Sequence, residues 1–318
     1  QGDHVVFVSK DFAARLKAEA MGIEAQDYEN LKYSYEGMAS GVRELHVQKE
    51  LVDRFYRDGE IVIPDLQAPH NAYFAMHSPE NTPALGKYSA QKKCIQSLIK
   101  PVPLWGIKPK NAEQRCAIDL LLNDEIKLAM LMGPAGTGKT LLALACGMRK
   151  VFDEGGYTKI LISRPIVPLG RDIGYLPGTK EEKLFHWMQP IYDNLEYLCA
   201  STGGESSDTL KWVLESKKIE MEAVTYIRGR SLPKMYMIID EAQNLTPHEV
   251  KTIISRAAEG TKVILAGDPT QIDNPYLDKD SNGLTFVMGK LGSHELCGSI
   301  FLDKTERSPL AAMAAEVL

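Results

Sequence analysis

Short apolar runs punctuate the chain, and the stretches between them carry helical spacing. At the start, His4-Val-Val-Phe-Val8 is rich in β-formers. Asp11 then opens a stretch with Phe12, Leu16 and Ala20 at fourfold spacing, which predicts an amphipathic helix. Gly22 stands where a helix C-cap belongs, so residues 1–30 read as one small strand–helix–strand piece. Residues 31–106 have another texture. β-prone fragments such as Ile61-Val-Ile63 and Ala72-Tyr-Phe74 alternate with Pro, Asn and Gly, and predict a small β-rich module or connector. From 107 to 318 strands and helices alternate. Ile126–Met132, Lys159–Ser163, Met235–Ile239 and Lys262–Ala266 read as buried strands, with helices over about 113–123, 139–152, 180–199 and 247–259. That order predicts an α/β fold whose parallel sheet is covered on both faces.

The 318 residues are 44% hydrophobic and 25% charged, so a folded core rather than a disordered chain is expected. No apolar run reaches membrane-spanning length, and no leader pattern stands at the start. The first residue is Gln1 rather than Met, as expected of a processed or partial product. Cys94, Cys116, Cys146, Cys199 and Cys297 are far apart and form no C-x-x-C pair. Reduced thiols, no structural zinc and a cytoplasmic location are the expectation. Residues 1–110 hold 14 basic and 14 acidic side chains, so residues 111–318 carry the whole net charge of −5.

The chemistry begins at Gly133, Pro134, Ala135, Gly136, Thr137, Gly138, Lys139 and Thr140, which fit G-x-x-x-x-G-K-[ST] in full. The glycines let the backbone curl so that successive N–H groups face phosphate oxygens, and the helix starting near Lys139 adds its positive end. Lys139 is expected to reach the β- and γ-phosphates of ATP, and the Thr140 hydroxyl to ligand Mg²⁺.

A second motif ends the apolar run Met235–Ile239 with Asp240 and Glu241. Adjacent carboxylates at the end of a buried strand are costly unless they serve a cation or a cleft. Asp240 is expected to hold Mg²⁺, directly or through water, and Glu241 to orient and deprotonate an attacking water. A third strand ends in Gly267-Asp-Pro-Thr-Gln271, where Gln271 could contact the γ-phosphate and report its loss. Upstream, Gln114 begins a helix and could pair with adenine.

Together these motifs resemble the ATPase cores of superfamily 1 helicases. More closely, residues 107–318 resemble PhoH-type ATPases, through Arg164-Pro-Ile-Val, Gly174-Tyr-Leu-Pro-Gly178, Arg228-Gly-Arg-Ser231, Asp240-Glu-Ala-Gln-Asn-Leu-Thr246 and Glu306-Arg-Ser-Pro-Leu310. Val5-Val-Phe-Val-Ser-Lys-Asp-Phe12 with Gly22-Ile23 looks like the last third of a PIN nuclease domain, and PIN fused to PhoH defines the PhoH2 group. The resemblance implies a RecA-like P-loop core preceded by a β-rich module and part of a PIN domain. Of the acids that a PIN metal site gathers, only Asp11 has a counterpart here, so ribonuclease activity is not expected of this chain.

The resemblance also implies RNA as partner and a ring of identical subunits, with a hexamer expected. One core has no arginine finger from a second core, and Arg307 matches the family's late arginine as the residue a neighbouring subunit would supply. Arg164, Arg171, Lys180, Lys183, Arg228, Arg230 and Lys234 are the local basic sites that could track single-stranded RNA in a central channel. The whole reading is Mg²⁺-dependent ATP hydrolysis coupled to RNA unwinding or translocation, feeding a PIN ribonuclease in a longer form. The alternatives are an ATP-dependent small-molecule kinase or nucleotide switch, and an assembly scaffold locked by ATP.

Overall fold

The computed structural model describes residues 4–9, 11–26, 32–35, 41–79, 81–166, 180–203, 206–227 and 229–306. At the N-terminal end, β1 (Val6–Val8) and β2 (Glu24–Gln26) pair in parallel, joined by α1 (Phe12–Ala20). Asp11 begins that helix because its carboxylate accepts from the Ala14 N–H at 3.1 Å. Gly22 follows the helix at φ 79°, a backbone form that glycine adopts without strain.

The next unit contains β3 (Arg43–His46), α2 (Lys49–Asp58), β4 (Glu60–Ile61), β5 (Tyr73–Ser78), β6 (Asn81–Ser89) and β7 (Cys94–Ser97). Its sheet runs β3-β5-β6-β7-β4. Val52 and Phe55 of α2 pack on Phe74, Met76 and Ile95 of the sheet, so the unit has its own small core. The helix was not legible as part of a β-rich texture, and Ile61-Val-Ile63 yields only the two-residue β4.

The third unit opens with α3 (Ala112–Leu122), β8 (Leu128–Met132), α4 (Lys139–Met148) and β9 (Lys159–Arg164). It continues through α5 (Lys180–Ala200), α6 (Ser206–Glu215), β10 (Ile219–Ala223), β11 (Met235–Ile239) and α7 (Pro247–Ile254). It closes with β12 (Lys262–Gly267), α8 (Gly283–Leu291) and β13 (Cys297–Phe301). Six strands form one sheet in the order β10-β9-β11-β12-β8-β13, and every pairing is parallel. The expected parallel α/β architecture is present, with β8, β11 and β12 fully buried as their apolar runs require. Because all six strands point one way, the ends of β8, β9, β11 and β12 open on one edge of the sheet, where ligands of such sheets bind.

Two expectations need correction. The helix expected over 247–259 stops at Ile254, because the chain beyond turns back so that Ala257 bridges Leu232. Its start is well marked: Thr246 and Glu249 form a reciprocal capping box. The helix expected over 139–152 is α-helical to Met148 and then widens into a π-helical turn, Arg149–Asp153.

Hydrogen bonds at two places seat the β-rich unit on the core. Asn71 donates to the carbonyls of Glu295 and Cys297, at 3.1 and 2.7 Å. The Tyr73 hydroxyl donates to Asp119 of α3 at 2.9 Å, and the Ile99 N–H donates to the same carboxylate at 2.7 Å. These bonds fix α3, the helix that carries Gln114.

Lys262 at the start of β12 is fully buried. Its Nζ donates to the carbonyls of Leu120, Asn123 and Ile126, at 2.9, 2.7 and 2.7 Å. It thereby caps the C-terminal end of α3 at Leu120 and Asn123, where the last carbonyls have no helical partner, and ties that end to Ile126 in the segment before β8. Lys262→Met keeps the bulk and removes three donors from three carbonyls. The expected loss is about 3 kcal/mol of unfolding free energy, read as a lower urea midpoint at unchanged slope.

Candidate nucleotide site

The loop Gly133–Thr140 joins β8 to α4 at the open edge of the sheet. Its glycines are required by geometry. Gly133, Gly136 and Gly138 have φ of 139°, 84° and 92°, where a side chain would be strained. A Cβ on Gly133 would also collide with the Leu302 carbonyl. Lys139 Nζ donates to the carbonyls of Gly133 and Pro134, at 2.6 and 2.8 Å, so the amine lies across the mouth of the loop.

Gln114 is buried beside this loop. Its Nε2 donates to the Thr137 carbonyl at 3.1 Å and its Oε1 accepts from the Lys110 N–H at 2.9 Å. The amide keeps one N–H and one lone pair beyond these bonds.

At the end of β11 the acidic pair meets the loop. Thr140 Oγ1 donates to Asp240 Oδ1 at 2.7 Å. Asp240 is buried, and burial first, then the neighbouring Glu241 carboxylate, raise its pKa above the ordinary aspartate value. Arg164, at the end of the adjacent strand β9, opposes that shift: its Nε lies 3.3 Å from Asp240 Oδ2 and its Nη2 3.3 Å from Glu241 Oε1. Glu241 itself has φ 53°, a left-handed backbone that costs a non-glycine residue roughly 1–2 kcal/mol. The turn of β11 into Ala242–Asn244 imposes this conformation and aims the carboxylate.

Gln271 lies on the turn after β12. Its side chain is exposed and lines the same cleft as Lys139, Thr140, Asp240 and Glu241. The cleft measures about 670 Å³ and reaches Gln114 and the 106–110 segment on its far side. The Thr140 and Asp240 oxygens are two hard donors side by side, which suits Mg²⁺, an ion that usually takes few protein ligands and completes its shell with phosphate and water. No cluster of three or more His, Cys, Asp or Glu suited to a metal exists among the described residues, so a fully protein-built cation cage is not present there.

A family model described as PhoH-like protein matches residues 106–318, the segment that builds this cleft. The chain belongs to the PhoH-like family. Protein PhoH2 of Bacillus subtilis (strain 168) is 46% identical over 326 residues, covering all of this chain and 73% of that protein. Protein PhoH2 of Mycolicibacterium smegmatis is 36% identical over 321 residues, covering all of this chain and 71% of that protein. The crystal structure of Pif1 helicase from Candida albicans is a slighter likeness: 16% identity and a TM-score of 0.34, over 66% of this chain and 43% of that one.

Within this PhoH-like core, several basic residues have other work than RNA contact. Arg164 is committed to Asp240, Glu241 and the Trp187 carbonyl. Arg230 pairs with Glu220 and Glu222 of the edge strand β10. Lys234 is exposed. Arg171, Arg228, the stretch Gly174–Gly178 and Arg307 lie outside the described residues, as do the side chains of Lys180 and Lys183. Glu306, next to Arg307, is described: its N–H donates to the Gly136 carbonyl at 3.0 Å, and its carboxylate accepts from Asn111 at 3.0 Å.

Sequence reasoning assigned no role to Gln243, buried between the acids and the Gln271 turn. Its signal was the Asp-Glu-Ala-Gln run, where a polar residue closes an apolar strand end.

Proposed function

We propose that this PhoH-like chain is a Mg²⁺-dependent ATPase that couples hydrolysis to binding single-stranded RNA and to unwinding it or moving along it. One observation carries the hydrolytic half. Lys139, Thr140, Asp240 and Glu241 line one cleft, and Thr140 and Asp240 are within hydrogen-bond distance. Thr140 and Asp240 would hold the metal, which supplies positive charge to the phosphate oxygens. The loop amides and Lys139 bind and orient the phosphates. Glu241, beside but not bonded to Thr140 in this arrangement, accepts the proton of the attacking water. Gln271 lies at the γ-phosphate side and Gln114 beyond the loop on the adenine side.

RNA, the ring of identical subunits and a trans contribution from Arg307 rest on the family resemblance. A PIN-like identity for the β1–α1–β2 piece, feeding from the ATPase in a longer chain, rests on the same ground. A cytoplasmic location fits five free, buried cysteines. Among the described residues no helix is long and apolar enough to cross a membrane.

The test is steady-state ATP hydrolysis with and without single-stranded RNA, across protein concentration and salt. Stimulation by RNA that fades with salt is expected, with specific activity rising as subunits associate. Hydrolysis indifferent to RNA and to concentration would leave an ATPase and remove the motor.

A further inference from the structure

Gln243 sits in the short turn Ala242–Asn244 that follows the acidic pair, and it is 1% exposed. Its amide makes three bonds. Nε2 donates to Glu241 Oε2 at 2.7 Å and to the Gln271 carbonyl at 2.9 Å, and Oε1 accepts from the Asp268 N–H at 3.1 Å. These partners fix which end of the amide is which. Turned over, it would set an oxygen against a carboxylate and a carbonyl, and an NH₂ against an N–H. The neighbouring strand is shaped around it, since a Cβ on Gly267 would collide with Gln243 Oε1.

One buried NH₂ group therefore holds two things at once: the carboxylate expected to activate water, and the main chain of the residue expected to meet the γ-phosphate. Neighbouring Asn244 fastens the same loop farther along, accepting from the N–H groups of Asp273 and Asn274 at 2.7 and 3.2 Å. That anchor steadies the loop through the main chain beyond Gln271 and leaves the hold on Glu241 to Gln243. Glu241's other partner, Arg164, is shared with Asp240. Of the two, Gln243 is the one that reports where the Gln271 turn stands.

We propose that Gln243 is a positioning residue that makes the aim of Glu241 conditional on the place of the Gln271 turn. When the turn is drawn toward the γ-phosphate, the shared NH₂ group moves the carboxylate with it. When the turn relaxes, the carboxylate loses its alignment and hydrolysis waits. The proposal rests on the hydrolytic reading above.

The experiment uses the full chain with MgATP. Gln243→Met keeps the length and removes all three bonds. Gln243→Glu keeps an acceptor for the Asp268 N–H and removes the donor. Both are expected to lower kcat by ~10- to 100-fold, the worth of one charge-assisted hydrogen bond, with ATP affinity within about threefold of the parent. A merely structural role would weaken binding and turnover together. Joined to Gln271→Ala, Gln243→Met should cost no more than the slower single variant, because both break one chain of contacts. Independent penalties that multiply, or parental kcat in Gln243→Met, would overturn the proposal. Should the Met variant fail to fold by thermal melting, Gln243→Asn, which keeps the amide but falls one methylene short, reads the same split. Glu241→Gln separates the two levels. If that variant turns over ATP near the parental rate, the assignment of Glu241 as base falls and this inference with it; if it is inactive while Gln243→Met turns over normally, this inference alone falls.

Discussion

Glu241→Gln is expected to stop ATP turnover while leaving ATP bound. The substitution keeps the shape of the side chain and the left-handed turn that aims it. It removes the one property the proposed mechanism needs there, a carboxylate that can take a proton from water. General-base catalysis of this kind is worth about 10²–10⁴ in rate, so kcat should fall by that factor. Binding should survive, because the Gly133–Thr140 loop and Lys139, the groups proposed to hold the phosphates, are left unchanged by the substitution. The check is phosphate release in single turnover beside equilibrium ATP binding. Asp240→Asn gives the contrasting pattern, because it strikes the proposed metal ligand and should raise the Mg²⁺ concentration needed for half-maximal activity. Near-parental turnover in Glu241→Gln would remove the base and return the acidic pair to a purely cation-holding role.

What could be read in the sequence divides by distance along the chain. The phosphate loop was legible because its whole chemistry lies in eight consecutive residues with fixed backbone demands. The acidic pair was legible because two carboxylates ending an apolar run are costly to keep there without a cation or a cleft to receive them. The strands β8, β9, β11 and β12 stood out as apolar runs for the same local reason. Elements at the sheet's two edges did not. β10 reads Ile-Glu-Met-Glu-Ala, alternating because Glu220 and Glu222 meet Lys159 and Arg230 on one face, and β13 carries Gly298 and Ser299. The role of Arg164 depends on β9 lying beside β11, a sheet neighbourhood that no spacing within the chain reveals. As a sequence feature it was one basic residue among several, grouped with those that could line a channel. Lys262 was read only as the first residue of a buried strand; what lets its charge sit there is the set of carbonyls of Leu120, Asn123 and Ile126, far upstream at and just after the end of α3. Gln114 was found at the site by its position ahead of the loop strand. Its bonds to Thr137 and Lys110 add that it shapes the loop as well as facing the cleft. In each case the missed information concerns which elements are neighbours. The local signal was present, but an ordinary solvated side chain would have produced the same one.

Arg307→Ala is expected to lower kcat by about 10³–10⁵, the range for loss of an arginine that neutralises charge in phosphoryl transfer, with ATP still bound. The sharper question is whose site the arginine completes. Glu306 is held to its own phosphate loop at Gly136 and to the start of α3 at Asn111. That anchoring gives the arrangement within one subunit a fair claim beside the arrangement between neighbours. Two inactive variants decide it. A Glu241→Gln subunit still carries Arg307, and an Arg307→Ala subunit still carries Glu241. In a head-to-tail ring with sites between neighbours, an equal mixture rebuilds both groups at about a quarter of the interfaces. Activity should then return on mixing, to a corresponding fraction of the parent. If the arginine serves its own subunit, every site in the mixture lacks one of the two groups and activity stays at the floor. Recovery therefore supports a shared site and a ring assembled for catalysis. A flat response, with association of the subunits verified, places Arg307 in its own cleft and makes each PhoH-like core complete by itself.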